Sequence, residues 1–236
     1  MPRTMLTDQH WSKLETIFRN FRIYLKQNLR NFIEAILYRI RTGCPWRDLP
    51  TVFGKPNSIF KKFSRWSKDN KLLKIFKLIS SDADLEWVFI DASHVRAHQH
   101  ATGIKDQAIS KSIGGNSSKI HLAVDSHGNP IQFLIEDGTT HDVKVAPKLV
   151  NSINLCNTDI LCADKGYDSE SVRKQIEETG TQANIPKKSN TLSNNNHVDW
   201  CFYKIRHLVE NAFARLKHFR GIATRYDKLK QSYENS

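Results

Sequence analysis

No apolar run in the sequence approaches the ~18–20 residues that a helix needs to cross a bilayer. The opening MPRTMLTDQHW has no apolar h-region, so no secretory signal is expected. The cysteines, Cys44, Cys156, Cys162 and Cys201, form no CxxC pair, and no histidine pair follows at zinc-finger spacing. They read as reduced, half-buried thiols of a cytoplasmic protein. Gly114-Gly115-Asn116-Ser117-Ser118-Lys119 lacks the G-x-x-x-x-G-K-[ST] spacing of a phosphate loop and precedes a strand, which excludes an ATPase of that type. No internal repeat is visible.

What is present is size and positive charge. The 236 residues suffice for one large domain or two small ones, with a hydrophobic core that needs no disulfides. Lys and Arg total 36 against 24 Asp and Glu, a net charge of +12. That balance points to a polyanionic partner, above all nucleic acid. A membrane surface is disfavoured because no basic amphipathic segment stands apart.

The first 80 residues read as helices. Thr7 caps a run through Phe18, with Trp11, Leu14 and Phe18 on one face. Asn31 is expected to cap a second helix bearing Phe32, Ile36, Leu37 and Ile40, ending near Thr42-Gly43. Pro56 and Asn57 precede a third, with Ile59, Phe60, Phe63 and Trp66, and Leu72 to Ile79 continue the period. Arg39, Arg41, Arg47, Lys61, Lys62 and Arg65 lie among them, as in a helix-turn-helix-like DNA-binding module; ordinary solvated charge would look the same.

Character changes at Glu86. Trp87 to Ile90 is a short apolar strand ending at Asp91, and 92–118 reads as a polar loop. Lys119–Asp125 and Ile131–Glu136 form a hairpin about a Ser126–Pro130 turn. Asp142 starts a helix through about Val150, and Asp159–Ala163 is a strand ending at Asp164. A helix over 168–179, a short strand at Gln182–Ile185, a loop over 187–199 and a last helix from Trp200 to Phe219 complete a mixed α/β order. Asp91 and Asp164 thus stand at carboxyl ends of strands, where open α/β sheets place active sites and where carboxylates can ligate hard divalent metals. For either residue alone, capping the next turn explains it as well.

The last helix carries Tyr203, Arg206, Glu210 and Lys217 within a ~60° stripe if it advances ~100° per residue. A solvated salt-bridge stripe would share that spacing. The same residues form Y-(2)-R-(3)-E-(6)-K, the signature of DDE transposases of bacterial insertion sequences. The resemblance, closest to insertion-sequence family five, extends to Arg41–Pro50, Ile90–His100, Ala163–Asp168 and Arg220–Lys228 and so spans essentially the whole chain.

The resemblance implies an RNase H-like catalytic domain with a mixed sheet over 86–236, behind a small all-α domain over 1–80. It implies metal-binding catalytic acids at Asp91, Asp164 and Glu210 and DNA contacts at Tyr203, Arg206 and Lys217. It further implies Mg²⁺, with Mn²⁺ able to substitute, duplex DNA as partner, and a homodimer in the synaptic complex. The activity would be nicking at element ends followed by strand transfer of the 3′-OH into target DNA. Relatives continue into a further apolar helix after Tyr226-Asp227-Lys228, so the C-terminal helix is expected to be truncated. The alternative is a catalytically impaired DNA-binding remnant. His94, His98 and His100 read as loop histidines near the DNA, Asp125 and Glu136 as turn or edge residues, and Asp168 as a helix cap.

Overall fold

A computed structural model describes residues 3–188 and 194–236, so the middle of the loop expected over 187–199 lies outside the described residues. The chain divides into two units. One joins the N-terminal segment through Ile79 with 98–105 and 217–236; the other comprises Ser80–Ala97 and Asp106–Leu216.

The first unit is helical: α1 (Asp8–Asn20), α2 (Leu29–Thr42), α3 (Pro56–Lys68) and α4 (Lys71–Ile79). The Thr7 hydroxyl caps α1 by accepting the His10 N–H at 3.2 Å. Helix α2 starts at Leu29, with Asn28 rather than Asn31 at the cap position, because the Leu29 side chain already belongs to the core. Gly43 ends α2 in the left-handed region at φ 69°, which a residue with a Cβ adopts at a cost. Pro56 lies inside the first turn of α3, where its missing N–H costs nothing. Buried Phe18 and Phe32 meet the Trp66 ring edge-on at 6.3 and 5.1 Å. Each such fully buried side chain contributes ~1.5–3 kcal/mol.

Residues 217–236, which the sequence places in the catalytic domain expected over 86–236, group by their packing with this unit. Phe219 and Ile222 pack on the helical core. In the short helix Arg220–Ala223, Gly221 lies so close to α2 that a Cβ would sit 3.0 Å from the Ile40 carbonyl oxygen. Arg39, expected among the DNA-facing cations, is interior. It stacks over Trp46 at 4.4 Å and pairs with Asp227 at 3.1 Å. Lys62 is likewise half committed, its ammonium 4.2 Å from the Phe32 ring centre. Burial, with help from the Arg65 and Lys26 charges, lowers its pKa.

The second unit is built on a mixed sheet. Its strands are β1 (Trp87–Ala97), β2 (Ser110–Ser112), β3 (Gly115–Val124), β4 (Pro130–Asp137), β5 (Ile160–Ala163) and β6 (Gln182–Asn184). β3 runs antiparallel to β1, β4 and the short β2, while β5 and β6 add in parallel on the other side of β1. The path β4-β3-β1-β5-β6 makes a mixed sheet, antiparallel on one side of β1 and parallel on the other, as expected of the α/β unit. The strand expected to stop at Asp91 continues to Ala97, and much of the expected loop over 92–118 is strand. Residues 92–97 are too polar to read as a buried strand, but β3 supplies ladder partners from His121, opposite Ala92, back to Ser117, opposite Arg96.

Helices α5 (Asp142–Asn151) and α6 (Glu170–Glu177) bury Ala146, Leu149, Val150, Val172 and Ile176 with Val88, Ile90, Leu161 and Ala163. The other side chains of β1, Trp87, Phe89 and Asp91, alternate to the opposite face. There lie α7 (Trp200–Ile205) and α8 (His207–Lys217), with Phe202 edge-on to Trp87 at 5.0 Å. Among the described residues no helix is long and apolar enough to cross a membrane.

Removing the carboxylate of Asp227 leaves Arg39 buried beside Trp46 without its ion partner. Asp227→Ala is expected to lower stability by about 3 kcal/mol in urea unfolding, with a smaller loss for Asp227→Asn. An unchanged unfolding midpoint in Asp227→Ala would show that Arg39 does not depend on this pair.

Candidate active site

β1 and β5 pair in parallel from Trp87↔Ile160 to Ile90↔Ala163. Asp91 and Asp164 are the residues that directly follow the last of these pairs. The parallel ladder therefore ends by delivering two carboxylates from neighbouring strands, the strands themselves being ~4.8 Å apart. β1 itself continues, but only along β3, so Asp91 stands at the end of the parallel pairing and not at the end of its strand.

Turn capping accounts for little of what these acids do. Asp164 occupies the cap position of the 3₁₀ turn Lys165–Tyr167 without bonding to it; its Oδ1 accepts the Tyr203 hydroxyl at 3.1 Å. Asp91 Oδ1 accepts the Ala92 N–H at 2.8 Å, and Oδ2 accepts Arg206 Nη1 at 3.0 Å. Burial raises the pKa of Asp91, and nearby Asp164 pushes the same way, against the Ala92 N–H and Arg206.

Glu210 reaches this pair through Arg206, whose Nη2 lies 2.6 Å from Glu210 Oε1. Burial alone would weaken the guanidinium, but Asp91, Tyr203, Glu210 and Asp164 outweigh it and hold its pKa above the ordinary value. Burial, then the Asp164 charge, raises that of the Tyr203 hydroxyl. The one helix expected over 200–219 is two. Arg206 N–H bonds Tyr203 O, and Val209 N–H bonds Arg206 O, both i to i−3 contacts that tighten the turn. No glycine or proline marks that break. Lys217 closes α8, seven residues past Glu210 and ~10 Å along the axis.

Residues that the sequence reading passed over hold the acids in place. Behind Asp164, Tyr167 is buried and its hydroxyl meets Nδ1 of fully buried His121 at 2.9 Å. Between them in sequence, Gly166 leaves room for Asp142: a Cβ there would lie 2.9 Å from Oδ2. Asp142 opens α5 and pairs with Lys119 on β3. On the other face, buried Asn184 of β6 accepts the Asp199 N–H at 2.8 Å and donates to the Asp199 carbonyl at 2.9 Å. Asp199 in turn caps α7 through the Cys201 and Phe202 N–H groups. Arg215 ties α8 to the β3–β4 turn through the Gly128 carbonyl at 2.6 Å. The one local signal for any of these was an aspartate directly before a helix.

The family model "Transposase DDE domain" matches residues 83–235, and a second, "Putative transposase of IS4/5 family", matches 6–76. The chain belongs to the transposase DDE domain family. Among relatives of this family member, the "Uncharacterized protein y4sN" of Sinorhizobium fredii is 39% identical over 80 residues, 34% of this chain and 64% of that one. The chain thus spans less than two thirds of that relative. The "Putative transposase for insertion sequence element IS6501" of Brucella ovis is 30% identical over 48% of this chain and 85% of its own. A piggyBac transposase synaptic complex with hairpin DNA aligns at 10% identity and TM-score 0.41, over 77% of this chain and 48% of that one.

The donor set of this family member is all oxygen, the kind that hard divalent cations take. Asp91 and Asp164 fit such an ion by position, and a bound cation would offset the burial, and with it the nearby Asp164 charge, that raise the Asp91 pKa. Among the described residues no three potential ligands form a ready cluster, and Arg206 stands between Asp91 and Glu210. The other acids considered are otherwise engaged. Asp168 does not cap α6 but pairs with Arg173 at 2.6 Å; Asp125 accepts the His127 and Asn129 N–H groups in its turn; Glu136 pairs with Lys148. His98 stacks on Tyr226 at 4.7 Å.

Burial depresses the pKa of His121 from 6.5 to about 4, so the folded protein holds it neutral. The unfolded chain binds the extra proton between these values, and stability falls as pH drops from about 6.5 towards 4. At 1.36 kcal/mol per unit the loss approaches about 3 kcal/mol. Urea unfolding across this range should show a shallower pH dependence for His121→Gln than for wild type; identical slopes would count against a neutral, buried His121.

Proposed function

We propose that this chain is a DNA transposase that cleaves at insertion-sequence ends with a divalent metal and transfers the freed 3′-OH into target DNA. The observation that carries the reading is the delivery of Asp91 and Asp164 by one parallel ladder, with Glu210 linked to Asp91 through Arg206. Family membership and the net charge of +12 support it.

Asp91, Asp164 and Glu210 would hold the metal, Mg²⁺ in the cell with Mn²⁺ able to replace it. A divalent ion bound there supplies charge neutralisation at the phosphate and a more acidic attacking hydroxyl. Arg206 presents a planar fork suited to phosphate oxygens, and Lys217, about two turns beyond Glu210, meets the duplex further along. Tyr203 orients Asp164 through its hydroxyl and offers its ring edge to the DNA. The helical unit contributes non-specific affinity through its outer cations, Arg39 excepted. The partner is duplex DNA, element ends and target, bound by a dimer that brings two ends together.

The test is incubation with supercoiled DNA carrying the element's own ends. Nicking should require Mg²⁺ or Mn²⁺, while Ca²⁺ should support binding alone. Asp91→Asn, Asp164→Asn and Glu210→Gln should each lose about a thousandfold or more in nicking, the equivalent of several kcal/mol of metal assistance, and still bind the ends. Lys217→Ala should weaken binding and flatten the log K against log salt slope by about 1. Nicking that survives exhaustive chelation would contradict the reading; binding without any nicking by wild type would favour a DNA-binding remnant.

A further inference from the structure

Arg206 is the one cation bonded to both Asp91 and Glu210 among the contacts described, and it uses a different nitrogen for each, at 3.0 and 2.6 Å. Its side chain is mostly buried, as is that of Asp91, while Glu210 is about half exposed. It also sits at the break between α7 and α8, where the backbone is held by i to i−3 bonds. A side chain at such a joint can change partners with small rotations of the flanking turns.

The carboxylates that Arg206 grips are two of the three that would hold the metal. A guanidinium and a divalent cation in the same small space repel each other strongly, because partly buried charges a few ångströms apart are poorly screened. DNA offers the displaced guanidinium a new partner, since Arg forks pair well with phosphate oxygens. We infer that Arg206 is an exchangeable internal cation. It neutralises Asp91 and Glu210 when no metal is bound, yields them to a divalent cation, and moves to a DNA phosphate, so that metal and DNA binding promote each other. This rests on the metal-dependent reading above, and it revises the simple division in which Arg206 serves only the DNA. The coupling is reciprocal by thermodynamic necessity: whatever DNA adds to metal affinity, metal adds to DNA affinity.

The test is a Mn²⁺ titration of the full chain without DNA, followed by loss of the free-ion electron paramagnetic resonance signal. Arg206→Ala and Arg206→Gln should bind Mn²⁺ about tenfold more tightly than wild type, because the competitor is gone. Adding a duplex with the element's ends should raise Mn²⁺ affinity in wild type and raise it less in either variant. Equal or weaker Mn²⁺ binding by both variants would overturn the inference and make Arg206 a fixed support for the ligands. If both fail to fold without metal, the same titration of Arg206→Lys decides: tighter Mn²⁺ binding than wild type is expected, and equal or weaker binding overturns the inference. Asp164→Asn separates the two levels: its side chain does not touch Arg206, so unchanged Mn²⁺ binding by that variant would reject the metal site itself.

Discussion

Carboxylates brought near one another at the end of a sheet repel, and something must offset that repulsion. Here it is Arg206, bonded to Asp91 on one side and to Glu210 on the other. Much of the second unit can be understood as the means of producing that meeting. The parallel β1–β5 ladder sets Asp91 beside Asp164. The break between α7 and α8 places the guanidinium over them, with Tyr203 one turn earlier on Asp164 and Glu210 one turn later on Arg206. The spacing of Tyr203, Arg206 and Glu210 therefore describes a single hydrogen-bonded set as well as a helical face.

That hydrogen-bonded set has rigid backing from three sides. One support comes from beneath the sheet, where the Tyr167 hydroxyl on His121 and the Asp142 carboxylate against Gly166 pin the turn that follows Asp164. A second comes along it, where Asn184 at the end of β6 holds Asp199, the cap of α7. A third is the Arg215 bond to Gly128, which fixes α8 to a hairpin turn. These residues lie on separate elements, and each passes the order of the sheet to a side chain at the site.

How much of this was legible in the sequence depended on range. Asp164 could be found because β5 is short, wholly apolar and ends where the acid begins. Asp91 could be found for the same reason, but not the continuation of β1 to Ala97, since nothing in 92–97 announces a strand that only β3 makes stable. Glu210 and its neighbours came from family spacing. The joint at Arg206 carries no breaker residue, and its departure from a regular helix is set by bonds to acids 115 residues away for Asp91 and four for Glu210. The return of 217–236 to the helical unit was hidden for a like reason: it depends on Arg39 meeting Asp227 across 188 residues. Tyr167, His121 and Asn184 are ordinary residues in sequence and acquire meaning only through tertiary contact.

On the proposed reading, Asp91, Asp164 and Glu210 form a metal site in which Arg206 holds the place of the ion. The most direct measurement is an anomalous difference map from crystals of the full chain grown with and without Mn²⁺. A manganese peak is expected on the carboxylates of Asp91 and Asp164, with an Arg206 guanidinium that has left Asp91. A peak elsewhere, or a manganese bound while both Arg206 ion pairs persist, would contradict it.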